Sequence, residues 1–133
     1  MSQFLIVISE SKPVTTVPNI TFVHTDETQQ IFCDAVDYYQ ISPEHAWAVL
    51  DKTGDTTDSI FSDAGGDISQ GNALSSTELG KLLGELIYSG AKLLAWYACE
   101  YDNLVKITNV IELIEILNKE LPAGSGEIYV EYR

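Results

Sequence analysis

Ser42-Pro-Glu-His-Ala-Trp-Ala-Val-Leu-Asp51 decides the fold, because it fits two different elements. As a helix it has Ser42 for an N-cap, Pro43 at the first helical position, Glu44 in the first turn and Gly54 as terminator. As a strand it offers Ala46-Trp-Ala-Val-Leu50, a compact apolar run that is matched later by Leu93-Leu-Ala-Trp-Tyr-Ala98, with acidic residues after both. The strand is preferred, although the match is too short to be an internal repeat.

On the N-terminal side, Phe4-Leu-Ile-Val-Ile8 is continuously apolar and rich in β-branched residues, as expected of a central strand buried on both faces. Pro13 and Pro18 bracket a polar connection to Ile20-Thr-Phe-Val-His24, an alternating strand nearer an edge and a candidate neighbour of the first. Thr25 or Asp26 then caps a predicted helix through Tyr39. Ile31, Phe32, Ala35, Val36 and Tyr39 form its inner face, and Glu27, Asp34 and Asp37 point outward.

Residues 51–74 carry Gly54, Gly65, Gly66 and Gly71, five aspartates and few apolar residues, and predict a long acidic loop. Ser75-Ser-Thr-Glu78 fits a capping box, opening a helix whose Leu79, Leu82, Leu83, Leu86 and Ile87 make one apolar face before Gly90. Gly80 and Gly84, four apart inside that helix, mark a close approach by the sheet or by a second copy. A buried strand over 92–99, an amphipathic helix over 108–120, a turn at 122–126 and an alternating strand over 127–132 complete the chain.

These elements predict one globular domain, residues 1–133, of α/β class with α+β as the variant. A mixed sheet of about four to five strands would carry two to four helices. Its 133 residues suffice to bury roughly two-thirds of the unfolded surface.

Charge is the strongest functional signal. Between Pro13 and Gly80 eleven Asp and Glu stand against Lys52 alone, a net −10 of the whole chain's −13. Such a field repels nucleic acid and anionic membrane and draws basic proteins. No apolar run approaches the ~20 residues of a membrane span, and Met1-Ser2-Gln3 lacks a basic leader region, so a cytoplasmic protein is expected.

Catalytic and metal motifs are missing from the sequence. Asp55-Thr-Thr-Asp58 and Asp63-Ala-Gly-Gly-Asp67 lack the alternate-position ligands of a calcium loop, the glycines lack a following Lys-Ser/Thr, and Cys33 and Cys99 have no metal-ligand spacing. No cofactor or metal is expected. The residues of choice for contacting a partner are Asp34, Asp37, Tyr38 and Tyr39, a tyrosine pair beside two acids, and Asp51, Asp55, Asp58, Asp63 and Asp67 of the acidic stretch.

The expected function is non-enzymatic: an acidic inhibitor that covers a basic protein, in profile comparable to an immunity protein against a bacterial nuclease-type toxin, where carboxylates mimic phosphate. The alternative is a small α/β enzyme or ligand-binding domain with a site near His45, Cys99 and Asp102, joined by His24, Asp51 and Glu100.

Overall fold

A computed structural model describes residues 4–38, 40–96, 103–107, 115–119, 122 and 128–132. Its nine principal elements are β1 (Phe4–Ile8), β2 (Ile20–His24), α1 (Gln30–Tyr38), β3 (Ala46–Asp51), α2 (Asp58–Ser69), α3 (Glu78–Tyr88), β4 (Lys92–Trp96), β5 (Asn103–Ile107) and β6 (Ile128–Tyr132). Residues 115–119 are also helical. The class is mixed α/β.

The strands form one sheet in the order β2-β3-β1-β4-β6-β5. Every pairing is antiparallel except β5 with β6, which makes the sheet mixed. Leu5, Ile6 and Val7 are consecutive and all fully buried, so both faces of β1 are covered, as its unbroken apolar run demands. Ala46 through Leu50 of β3 are buried as well. The contested segment contains both elements in miniature: Pro43–His45 makes one 3-10 turn behind Ser42, and the strand starts at Ala46.

Four expectations need correction. The sheet has six strands, not four to five; the unforeseen one, β5, carries Lys106 within a short apolar stretch, which hides its periodicity. β1 and β2 are not neighbours, because β3 pairs with both of them, with Val7 opposite Trp47 and His24 opposite Trp47. The predicted loop 51–74 contains α2: Ile60, Phe61, Ala64 and Gly65 supply a narrow buried face that docks beside α3, a tertiary gain that outweighs the poor helix propensity of Gly65 and Gly66. The helix expected from Thr25 or Asp26 begins at Gln30, after a 3-10 turn at Thr25–Glu27.

The start of α3 is also displaced. Thr77, not Ser75 or Ser76, is the N-cap: its hydroxyl accepts the Gly80 N–H at 3.0 Å and donates to the Leu74 carbonyl at 2.6 Å. The two helix glycines then separate. A Cβ on Gly80 would collide with the Leu74 carbonyl, whereas nothing lies within 4 Å of one on Gly84. The close approach is therefore made by the preceding turn, at Gly80 alone.

One polar clamp ties the connection between β1 and β2 to α3. The Glu85 carboxylate accepts hydrogen bonds from the Thr15 hydroxyl (3.0 Å), the Thr16 N–H (3.0 Å) and the Thr16 hydroxyl (2.9 Å). The Thr16 backbone donor leads in holding its pKa below the ordinary glutamate value, aided by both hydroxyls and Lys81 and opposed by desolvation.

Candidate functional site

The predicted contact residues fall on three pieces of structure. On α1, Phe32, Ala35 and Val36 are buried, which by helical period leaves Asp34, Asp37 and Tyr38 exposed. The Tyr38 side chain is 57% exposed, and Asp34 is held by the neutral Gln30 amide at 2.9 Å. Tyr39 lies outside the described residues.

In the turn after β3, Asp51 is an organiser. Its carboxylate accepts the Thr53 hydroxyl (2.5 Å), the Thr53 N–H (2.8 Å) and the Asp55 N–H (3.1 Å), and the chain reverses at Gly54 with φ of 90°. The Thr53 hydroxyl is the main cause of its lowered pKa; desolvation opposes it and the backbone donors add to it. Asp55 is exposed at the tip, and Asp58 accepts the Thr56 hydroxyl at 3.1 Å.

The third piece is a groove of about 490 Å³ between α2 and the start of α3. Asp63 and Asp67, four residues apart on α2, line it together with Glu78 of α3, Gly66, Gln70 and Ser76. Among the described lining residues there is no lysine or arginine. The donors that reach Asp34 and Asp51 through these hydrogen bonds are likewise neutral, so they orient the two carboxylates without cancelling their charge. In the sequence Glu78 reads as the last residue of a capping box; its place in the first turn of α3, beside α2, brings it to the groove.

Of the residues of the alternative site, the structure describes His24, His45 and Asp51. His45 lines a second, shallow groove of about 410 Å³ with Ser9, Glu10, Ser11, Ser89 and Lys92, where β1 ends and β3 and β4 begin. Asp51 sits at the other end of β3, about 20 Å away at strand rise, so the two cannot share a pocket. His24 is instead stacked on Trp47, with ring centroids 3.8 Å apart. Cys99, Glu100 and Asp102 lie outside the described residues. Cys33 is half-buried, its Sγ 3.2 Å from the Thr25 carbonyl. Among the described residues no group of three His, Cys, Asp or Glu is arranged to hold a metal, and no helix is long and apolar enough to cross a membrane.

Compared with protein-family models, curated proteins and solved structures, the chain matches none.

Proposed function

We propose that this chain is a non-enzymatic acidic binding protein that neutralises a basic protein partner. The observation that carries the proposal is the groove of Asp63, Asp67 and Glu78, a concave acidic site without a cation in its described lining. Three carboxylates there suit a lysine or arginine side chain, and the net charge of −13 would steer a basic protein toward it. Asp34, Asp37 and the exposed Tyr38 extend the acidic surface on α1 with an aromatic contact residue.

The most specific form of the proposal is an immunity protein in the bacterial cytoplasm, covering the active site of a nuclease-type toxin. A site built for polyphosphate has the positive charge that these carboxylates complement. The test is capture of partners at low salt on immobilised wild-type protein and on the double variant Asp63→Lys/Asp67→Lys. A basic protein retained by the first and lost by the second supports the proposal; equal retention contradicts it.

A second reading has one observation behind it. The groove at His45 and Lys92 has a fixed floor, with the Ser9 N–H donating to the His45 carbonyl at 2.9 Å and the Trp47 indole N–H to the Ser9 carbonyl at 3.1 Å. A small polar ligand there would shift the resonances of His45 and Lys92 and be indifferent to charge reversal on α2. Screening small carboxylates and amines by NMR distinguishes the two.

A further inference from the structure

We infer that the free edge of β2 docks an extended segment of the same basic partner, which adds one more strand to the sheet beside Ile20–His24. The basic character of the occupant rests on the function proposed above. Among the described residues β2 ends the strand order and pairs with β3 alone. No other described residue hydrogen-bonds to the backbone of Ile20–His24, so its outward N–H and C=O groups have no protein partner among the described residues. Such an edge is a template for another strand.

The two edges of the sheet differ in protection. β5, at the far edge, carries Lys106 at its fourth position, a charge of the kind that discourages strand addition. Within Ile20–His24 there is no acidic residue, lysine, arginine, proline or break in register to guard the edge of β2, which is short. Its register with β3 runs unbroken from Ile20 opposite Asp51 to His24 opposite Trp47, and no charged residue occurs anywhere from Pro13 to Thr25. Thr21 and Val23 are only half-buried, leaving β-branched side chains beside the edge.

Charge selects the occupant. Exposed Asp26 and Glu27 follow one end of β2, while Asp51 and the exposed Asp55 stand at the other. An antiparallel pairing of β2 with β2 of a second copy would set these acidic ends against each other. A segment with a β-branched centre and Lys or Arg at both ends meets the apolar edge and both acidic ends at once.

The probe is the peptide Lys-Lys-Val-Thr-Val-Thr-Val-Lys-Lys, followed by amide exchange and chemical shifts of the intact protein. Controls are the same peptide N-methylated at alternate amides, with unchanged charge, and an analogue with Gln for Lys. The expected result is slowed exchange at alternate amides of Ile20–His24, with the N-methylated peptide binding at least about tenfold more weakly because backbone hydrogen bonds are lost. Equal binding of the N-methylated peptide would overturn strand addition and leave the acidic surface standing. Equal protection of β2 by the Gln analogue would overturn the basic occupant and count against the acidic-surface function instead. Protection that rises with protein concentration without peptide would make a second copy the occupant and also overturn the inference.

Discussion

α2 and α3 lie side by side, but they are held in place differently. α3 has a continuous leucine stripe, a Thr77 cap and the Glu85 clamp to Thr15 and Thr16. α2 has a thinner buried face and two adjacent glycines, and its N-cap residue, Thr57, makes no side-chain cap; the Thr57 hydroxyl is buried without a hydrogen-bond partner among the described residues. One helix is secured by its own sequence. The other depends on docking, and its outward positions are taken by Asp63 and Asp67. The contrast separates a scaffold from the surface it presents, and substitutions on the two helices should divide the same way.

The largest effect is expected at Leu82, fully buried on α3: Leu82→Ala should destabilise by about 2–5 kcal/mol in denaturant unfolding. Gly80→Ala follows, at about 1–3 kcal/mol, because the added methyl must push the Leu74 carbonyl aside. Gly84→Ala should change sign and stabilise by about 0.5–1 kcal/mol, since its Cβ enters open space in a helix. If both alanines destabilise, something other than the Leu74 turn approaches α3.

Glu85 gives the clamp a pH signature. Its pKa is lowered in the folded state, so its stabilisation is complete above the ordinary glutamate range and disappears as pH falls through the lowered value. Thermal unfolding of wild type should therefore fall toward that of Glu85→Gln on acidification, the gap being widest near neutrality. A gap that is constant with pH would remove the carboxylate's role. The smallest stability effect is expected for Asp63→Asn with Asp67→Asn, within about 0.5 kcal/mol, because these exposed or half-buried side chains serve the surface and not the core.

The same contrast explains what the sequence revealed. The leucine stripe of α3 is a strong periodic signal and the continuous apolar run of β1 a strong strand signal, and the structure follows both, whereas the run of β3 fits a helix start as well. α2 was hidden because Ile60, Phe61 and Ala64 form a helix face only once α3 is beside them, while Gly65, Gly66 and the aspartates carry the local signature of a loop. The place of β3 between β1 and β2 is a long-range pairing with no local mark. For the site, charge points to Asp63 and Asp67 as surface residues of a loop; the structure puts them on α2, and charge alone could not group them with Glu78. Nor could it show that Asp51 spends its carboxylate on its own turn.

Binding of a basic partner in the α2–α3 groove through charge, as proposed, would be sensitive to salt and to charge reversal on α2. Titration calorimetry of the purified captured partner, from about 50 to 300 mM salt, against wild type and Asp63→Lys/Asp67→Lys tests it most directly. The account predicts affinity that falls with salt for wild type and a loss of about a hundredfold or more in the folded variant, close to 2.7 kcal/mol. An unchanged affinity in a variant that folds normally would contradict it.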